Sequence, residues 1–277
     1  MPFKYGNMTL HEKREVSYLT FDALSQINFI HHAFSTRHGG VSSGEFSSMN
    51  LSFTRGDSIE NVTENYKRFC ESAGFEYESL VASSQDHNVY VRQVSSCHKG
   101  IGIYRPQDMK SVDALMTNEP GVTLVTYYAD CTPLFFVDVV SRAIALAHAG
   151  WRGTVRRIGK LVLEQMQLSY GTVPQNVVCA IGPAISRCCY EVDKLCAGEF
   201  LKLDDLDTSK FVFEALNGKS NIDLSEANSA ILEKCSVQKS NIYKSGLCTK
   251  CHSDLLWSHR ATNGRRGTMA AFLCINP

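Results

Sequence analysis

The stretch DALMTNEPGVTLVTYYADCTPLFFVDVVSRAIALAHAGWRG spans residues 113–153 and decides the fold class. It contains three apolar runs, at residues 122–128, 134–140 and 143–147, and only a few polar or glycine residues separate them. Short apolar runs of this kind predict β-strands. Because several of these strand-like runs are adjacent in sequence, with no helical pattern between them, the pattern favours a mixed sheet over a doubly wound parallel one.

Helical patterns alternate with further strand-like runs along the rest of the chain. Residues 57–60 read DSIE, which is typical of a capping box with an Asp57 oxygen at the helix start, and Gly74 predicts the end of that helix. Two more helices are predicted, one capped by Thr154 and one from Asp223 to about Cys235, with strands at residues 177–181, 210–213, 242–245 and 269–275. No repeat, low-complexity linker or composition break divides the chain. The sequence therefore predicts one α/β domain over residues 1–277.

Composition excludes several classes of protein. The chain has 277 residues with 28 basic and 28 acidic side chains, so it carries no electrostatic footprint for nucleic acid or an anionic membrane. No apolar run approaches the length of a membrane-spanning helix, and the first residues lack the apolar core of an export signal. Eleven cysteines without such a signal predict reduced thiols and a cytoplasmic location.

Three metal-ligating side chains follow strand-like runs. Cys131 lies in Ala-Asp-Cys-Thr-Pro, His148 lies in Ala-His-Ala-Gly-Trp, and His87 follows the short run at residues 80–82. Two imidazoles and a thiolate can hold zinc and leave a fourth position open, where a bound water can have a pKa near 7. The separations of 44 and 17 residues match no compact metal motif, so satisfied structural histidines and an inert thiol remain an alternative interpretation.

Other motifs allow two interpretations. Arg37 precedes Gly39-Gly40, which indicates either an anion-binding loop or a solvated charge beside a glycine turn. The segment from Cys248 to His252 fits the haem attachment pattern C-x-x-C-H, but that chemistry belongs to exported proteins. A second zinc site or a redox pair there lacks obvious partners nearby, and Cys188-Cys189 are interpreted as two inert thiols. The glycines match neither phosphate-loop fingerprint, and there is no serine nucleophile elbow.

A series of short motifs carries a resemblance to a known family. In chain order they are Ser-Thr-Arg-His-Gly-Gly-Val-Ser (35–42), Asn-Leu-Ser (50–52), Gln-Asp-His (85–87), Asp-Ala-Leu (113–115), Ala-Asp-Cys-Thr-Pro (129–133), Ala-His-Ala-Gly-Trp-Arg-Gly (147–153), Ile-Gly-Pro-Ala-Ile (181–185) and Cys-Thr (248–249). They resemble the YfiH family, a laccase-domain or polyphenol oxidase group described as purine nucleoside phosphorylases. The resemblance runs from about residue 30 to the last residues, and residues 1–30 form an unassigned N-terminal extension.

The resemblance implies a fold, an activity and a set of site residues. It implies a single α/β domain with layered mixed β-sheets flanked by helices, in which His87, Cys131 and His148 hold a catalytic zinc ion. It also implies phosphorolysis of adenosine, inosine, guanosine and methylthioadenosine, together with deamination of adenosine. The expected partners are therefore purine nucleosides and phosphate, and a monomer is our default expectation.

The resemblance also nominates substrate-binding residues. Arg37 falls on the arginine of the family's glycine loop, which is expected to face the substrate pocket. The other positions that match family motifs are Asn50, Gln85, Arg152 and Arg260. One departure lies where family members read Ser-Tyr-Arg-Arg, because this chain has Ser258-His259-Arg260-Ala261 and so lacks the second arginine.

Three other functions compete with a zinc phosphorylase. Two histidines and a cysteine also bind copper, as a laccase would require, but a multicopper oxidase needs further paired H-x-H motifs and the nine histidines form none. A metal-free pair of Cys131 and His148 would suit a thiol hydrolase, such as an amidase acting on a cell-wall precursor. The usual zinc deaminase signature is absent, so any deamination uses another arrangement. A non-catalytic binding module is the third alternative.

Overall fold

A computed structural model of the protein describes residues 3–215 and 218–277. Its strands are β1 (Phe3–Tyr5), β2 (Met8–Lys13), β3 (Val16–Phe21), β4 (Ile30–Ser35), β5 (Leu80–Ala82), β6 (Tyr90–Gln93), β7 (Val112–Thr117), β8 (Thr123–Tyr128), β9 (Thr132–Asp138), β10 (Ala143–Ala149), β11 (Val177–Ile181), β12 (Glu191–Val192), β13 (Val212–Glu214), β14 (Ser220–Ile222), β15 (Ile242–Lys244) and β16 (Met269–Ile275). Its helices are α1 (Ile59–Ala73), α2 (Trp151–Val155), α3 (Ile158–Tyr170), α4 (Lys194–Leu201), α5 (Leu224–Lys234) and α6 (His259–Thr262). None of these helices is long and apolar enough to cross a membrane.

Two mixed sheets pack against each other. The first has the strand order β1-β2-β3-β4-β16-β8-β5, and the second has the order β15-β11-β9-β10-β7-β6. Most neighbours are antiparallel, whereas the pairs β5–β8, β6–β7 and β11–β15 are parallel. The prediction of an α/β fold with layered mixed sheets is confirmed.

Alternating side chains along the central strands build a core on both faces of each sheet. In β10, Ile144 and Leu146 face the first sheet, whereas Ala145 and Ala147 face α3. This alternation is the ordinary period of a strand, and every residue of β10 is buried because both faces of the sheet are covered. Helix α1 covers the outer face of the first sheet, and α3 and α5 cover the outer face of the second.

The N-terminal extension is part of the first sheet. Strands β1, β2 and β3 form an antiparallel meander, and β3 pairs with β4 through Leu19 and Phe34. Met8, Leu19 and Phe21 are fully buried in the core between the two sheets. These residues therefore extend the same sheet that carries part of the candidate site.

The three predicted helices are present and differ from the predictions mainly at their first residues, whereas α4 and α6 were not predicted. Helix α1 ends at Gly74, which adopts the predicted left-handed conformation with φ of 83°, but its N-cap is Ser58 and not Asp57. Asp223 caps α5 as predicted and accepts a hydrogen bond from the backbone N–H of Glu226. Thr154 caps nothing, because it lies inside the short helix α2. The following helix α3 begins after Arg157. The left-handed backbone conformation of Arg157, with a φ of 58°, separates α2 from α3.

Candidate active site

His87, Cys131 and His148 meet at one edge of the two packed sheets. Their ligand atoms all lie within 4.8 Å of one another, and His87 Nε2 is 3.8 Å from Cys131 Sγ. His87 follows β5, Cys131 lies in the turn between β8 and β9, and His148 is near the end of β10. Because β5 and β8 run parallel, their carboxyl ends reach the same edge of the sheet. The structure thus forms the candidate metal site that the sequence predicts.

Two of the site loops use left-handed backbone conformations that are uncommon outside glycine. The φ angles are 69° at His87 and 86° at Asp130, the residue before Cys131. Such conformations cost free energy and persist only where surrounding contacts hold them. In both loops those contacts are hydrogen bonds to a carboxylate.

Asp113 holds the His87 loop and orients His148. Its side chain accepts hydrogen bonds from the backbone N–H groups of Asp86, His87 and Asn88 at 3.1, 3.1 and 2.9 Å. His148 Nδ1 also donates to Asp113, at 2.8 Å, so the Nε2 atom is the one left for a metal. A carboxylate behind a histidine is the usual support of a metal ligand. Although burial would raise the pKa of Asp113, His148 and these N–H groups hold it below its ordinary value.

Asp130 fixes the turn that carries Cys131. One carboxylate oxygen accepts from the Thr249 hydroxyl at 2.6 Å, and the other accepts from the Arg260 backbone N–H at 2.7 Å. The Asp130 carbonyl also accepts from the backbone N–H of Ile185 at 2.9 Å. Asp130 also lines the cavity, and these bonds give it a positioning role.

The electrostatics of the site favour a charged thiolate–imidazolium pair when no metal is bound. Burial alone would raise the pKa of Cys131, but the positive charge of His148 and hydrogen bonds from both imidazoles lower it to about 6. Burial would lower the pKa of His148, but the Cys131 thiolate and Asp113 raise it to about 9. A divalent cation would replace the imidazolium proton, because metal ligands bind in their deprotonated forms.

Gly150 leaves space for the ligands. A Cβ atom at this position would lie 2.9 Å from His87 Cδ2 and 3.0 Å from Cys131 Sγ. These distances are too short for ordinary contacts, and both neighbouring atoms belong to ligand side chains, so a side chain at position 150 would displace the ligands. The absence of a side chain at Gly150 therefore allows His87 and Cys131 to occupy their positions in the site.

The site opens into a cavity of about 1230 Å³ with a basic wall. The wall contains Arg55, His259, Arg260 and Arg266. Burial and the nearby Arg55 lower the pKa of Arg266 to about 10, and its buried Nε has no hydrogen-bond partner. Burial and Arg266 also lower the pKa of His259. Asp130 is the acid that acts on Arg266 and His259 here, so the four basic side chains outnumber it, and this excess of basic groups indicates a place for an anion.

Only some of the nominated substrate-binding residues reach this cavity. Gln85 and Arg260 line it, whereas Arg37, Asn50 and Arg152 are not among its lining residues in the described part of the chain. The Gln85 amide is held by the backbone N–H and carbonyl of Tyr127, at 2.6 and 2.8 Å. The Arg260 guanidinium donates to the backbone carbonyls of Cys189 and Glu191.

The other three nominated residues have structural surroundings. The Arg37 guanidinium lies 3.9 Å from the centre of the Trp257 ring and donates to the Ser253 carbonyl. Asn50 is fully buried and bonds to other loop residues, including the backbone N–H of Thr268. Arg152 stacks over its neighbour Trp151 on an exposed part of the surface.

Two features of the region escape sequence analysis. Arg55 and Arg266 are far apart in sequence and meet only in the fold, so the sole signal was the departure from the family pattern near residue 261. Cys188 and Cys189, interpreted as inert thiols, lie beside Cys248 and Cys251. The ligand atoms of these four residues are all within 4.8 Å of one another.

Comparisons with known proteins agree with this geometry. A family model described as "Multi-copper polyphenol oxidoreductase laccase" matches residues 31–276. The chain belongs to this family. One relative of the chain is "Purine nucleoside phosphorylase YlmD" of Geobacillus stearothermophilus. It is 36% identical over 242 residues, which cover 86% of this chain and 87% of that protein.

Solved structures of the laccase family share the fold over nearly the whole chain. The crystal structure of YlmD from Geobacillus stearothermophilus has a TM-score of 0.89 at 33% identity and covers 97% of this chain and 99% of that one. The crystal structure of the Bacillus licheniformis hypothetical protein YfiH has a TM-score of 0.90 at 28% identity and covers 96% of this chain and 99% of that one. The resemblance to the YfiH group is thus confirmed.

Proposed function

We propose that the protein is a zinc-dependent purine nucleoside phosphorylase acting on adenosine, inosine, guanosine and methylthioadenosine, with adenosine deaminase activity. The observation that carries the proposal is the joint opening of a His–Cys–His ligand set and a basic wall into one cavity. Relatives named purine nucleoside phosphorylases support it, because they match more than four fifths of the chain. Phosphorolysis requires a phosphate site beside a nucleoside site, and a basic wall and aromatic side chains in one cavity support that proposal.

The ligand set suits zinc. Two imidazole nitrogens and one thiolate are borderline-soft donors, and three protein ligands leave a position open to the cavity, as in catalytic zinc sites. The Asp113 bond to His148 Nδ1 presents the opposite ring nitrogen, which fits a metal held on the cavity side. When bound, zinc would supply Lewis acidity that polarises a substrate oxygen or the purine base. Copper is the alternative metal, since the same donors accept it.

The basic wall would hold the phosphate. In phosphorolysis a phosphate oxygen forms a bond to C1′ of the ribose while the bond from C1′ to the purine nitrogen breaks, and the purine leaves with a proton. Arg55 and Arg266 would bind the dianion by charge-assisted hydrogen bonds, and the buried Nε of Arg266 still has a proton to donate. Arg260 is partly committed to backbone carbonyls, so we assign it a smaller share.

Apolar and aromatic side chains of the same cavity would accept the nucleoside. Ile185, Tyr190, Tyr77 and Tyr104 line it, and the Arg260 guanidinium lies 5.5 Å from the centre of the Tyr190 ring. Apolar and aromatic walls bind a purine base by stacking and by excluding water. Adenosine deamination would instead add water at C6 of the purine base and release ammonia, so that reaction would require C6, and not C1′, to face the attacking oxygen.

One observation favours a second candidate, a thiol hydrolase. The pKa of Cys131 is lowered to about 6, and His148 is in turn oriented by Asp113, which resembles a nucleophile, base and orienting acid. Such an enzyme would keep its activity after chelation and lose it after alkylation of Cys131. A multicopper oxidase is not favoured, because in residues 3–215 and 218–277 no other histidine joins a group of three or more metal-ligating side chains.

The test is a product analysis on protein of known metal content. Adenosine and inosine are incubated with and without phosphate, and the products are separated. Free purine and ribose 1-phosphate that appear only with phosphate support phosphorolysis, and inosine formed from adenosine without phosphate supports deamination. No turnover of any purine nucleoside by zinc-loaded protein would overturn the proposal. For substitutions of Cys131, the matched control is Cys97→Ser, because Cys97 is an exposed thiol outside both groups of metal-ligating side chains.

A further inference from the structure

A second group of sulfur atoms lies behind the wall of the cavity. Cys188 and Cys189 are in the turn between β11 and β12, and Cys248 and Cys251 are in the turn that follows β15. The Cys251 sulfur is 3.5 Å from the sulfurs of both Cys188 and Cys189. We propose that these four cysteines bind a second zinc ion, in a closed four-thiolate site that joins the two turns.

The spacing of the sulfur atoms fits a tetrahedral zinc ion. Four sulfurs at the usual zinc–sulfur distance of about 2.3 Å lie about 3.8 Å from one another. In this protein all four lie within 4.8 Å of one another, and two pairs are 3.5 Å apart. A small adjustment that lengthens these two distances and shortens the longer ones would therefore give the required geometry.

The turn that carries Cys248 and Cys251 has the hydrogen bonding of a metal-binding turn. Its sequence is Cys-Thr-Lys-Cys, the C-x-x-C spacing of structural zinc sites. The backbone N–H of Ser186 donates to Cys248 Sγ at 3.5 Å, and the N–H groups of Lys250 and Cys251 face the same sulfur. Several N–H groups around one sulfur favour a thiolate over a thiol, because a thiolate accepts more hydrogen bonds.

Backbone pairing, and not chance contact, brings the two turns together. Ala184 donates to the Leu247 carbonyl at 3.2 Å, and Thr249 donates to the Ala184 carbonyl at 3.1 Å. These bonds form a short parallel bridge between Ala184 and Cys248. The bridge sets the sulfur atoms of the two turns side by side, so a metal would bind a largely pre-formed group.

A metal at this place would support the wall of the cavity. Thr249 bonds to Asp130, the residue before Cys131, and Ile185 bonds to the Asp130 carbonyl. Arg260 donates to the Cys189 carbonyl, and Tyr190 lines the cavity directly after Cys189. Both clamped turns thus contact the segment that presents Cys131, which gives the second metal a structural role and no open position for substrate.

Disulfide formation is the main competing use of these thiols. A bond between Cys251 and Cys188 or Cys189 would release two electrons and two protons to an oxidant, and it would shorten one sulfur pair to about 2.05 Å. It would leave two sulfurs of the group unused. Four converging thiols with N–H support are better explained by a metal, and the mass of the alkylated protein separates the two cases.

The decisive measurement is zinc per chain by native mass spectrometry, with metal analysis of the same sample. We expect about two zinc ions in the wild type, about one in Cys251→Ser and in His148→Ala, and two in the control Cys97→Ser. In His148→Ala the remaining zinc should show four sulfur neighbours at about 2.3 Å by X-ray absorption. No substrate is used, so the outcome is independent of the proposed phosphorylase activity.

Other outcomes would overturn the second zinc site. They are one zinc in the wild type with none in His148→Ala, iron in place of zinc, or a protein two mass units lighter that resists alkylation at Cys251. If Cys251→Ser does not fold, the wild-type zinc count and the cobalt-substituted spectrum decide. Cobalt held by four thiolates gives intense sulfur-to-metal charge-transfer bands, and their absence from cobalt-loaded His148→Ala would contradict the proposal.

Discussion

The two groups of metal-ligating side chains differ in number of donors, in surroundings and in support. His87, Cys131 and His148 offer three donors of two kinds beside a cavity, and buried Asp113 holds two of them. The four cysteines offer a complete tetrahedral set in two surface turns, held by a backbone bridge. The difference teaches that the donor count and the nearby cavity, more than ligand type, distinguish a site for chemistry from a site for structure.

Removing a ligand of the open site should give the largest effect. Cys131→Ser and His148→Ala are each expected to lower phosphorolysis about a thousandfold or more, because metal catalysis supplies several kcal/mol and each 1.4 kcal/mol is a factor of ten. The measurement is kcat/KM for inosine with phosphate, alongside zinc content. Cys97→Ser should keep full activity. If Cys131→Ser kept both zinc and full turnover, the ligand assignment would be wrong.

Substitution of Asp113, which supports both His87 and His148, should weaken zinc binding at the three-ligand site and leave the four-cysteine site unchanged. Asp113→Asn is expected to weaken zinc binding at the open site about 10- to 100-fold, because a supporting carboxylate typically contributes that much to affinity or activity. Zinc at the four cysteines should stay unchanged, since Asp113 contacts neither turn in the described bonds. Competition with a chelator measures both affinities, and exposed Asp205→Asn is the control. Equal loss from both sites would show general unfolding.

Neutralising the basic wall should affect phosphate more than metal. Arg266→Gln is expected to raise the KM for phosphate about tenfold or more, since a hydrogen bond to a charged group contributes about 1.5–3 kcal/mol. Zinc content and nucleoside KM should change little. Arg152→Gln is the matched control, because Arg152 is exposed and lies outside the cavity lining. An unchanged phosphate KM would remove Arg266 from the phosphate site.

The smallest effect concerns the reactivity of Cys131 in metal-free protein. Because its pKa is about 6, alkylation by iodoacetamide should rise as pH increases through 6 and reach a plateau above it. The alkylation rate of an ordinary model thiol still rises through about pH 8.5, so at pH 7 Cys131 should react up to about tenfold faster than such a thiol. Peptide mapping after timed alkylation measures the rate at Cys131. A Cys131 profile that rises only above pH 8 would contradict the thiolate–imidazolium pair.

Features that are local in the sequence could be predicted, whereas contacts that form only on folding could not. Strands β11 and β16 have the predicted limits because their apolar runs are sharply bounded, by Asn176 and Gly182 in β11 and by Thr268 and Asn276 in β16. The division between α2 and α3 was missed, because a left-handed Arg157 leaves no mark in the apolar spacing. The family motifs nominated His87, Cys131 and His148 together. The position of one histidine at the end of one strand does not show whether it binds a metal or only makes structural hydrogen bonds.

The basic wall and the four cysteines show the same limit. Arg266 reaches the cavity through a loop, and its loop position carries no periodic pattern that could place it beside Arg55. Cys188 and Cys251 meet because the turns after β11 and β15 are bridged, which requires knowing that these strands pair in parallel. Pairing between distant strands is set by tertiary packing, and a single sequence does not encode it in readable form.

The position of β16 has a consequence for the order in which the molecule can be built. This strand lies between β4 and β8, so Ile275 pairs with Ile30 on one side and Cys274 pairs with Thr123 on the other. During synthesis, one edge of β4 in the meander β1–β4 and one edge of β8 in the β5–β8 pair stay unpaired until residues 269–275 leave the ribosome. Such distant pairing slows folding and exposes edges that invite aggregation. The sheet that contains β5 and β8, the strands before the His87 and Cys131 loops, is therefore complete only after β16 has paired.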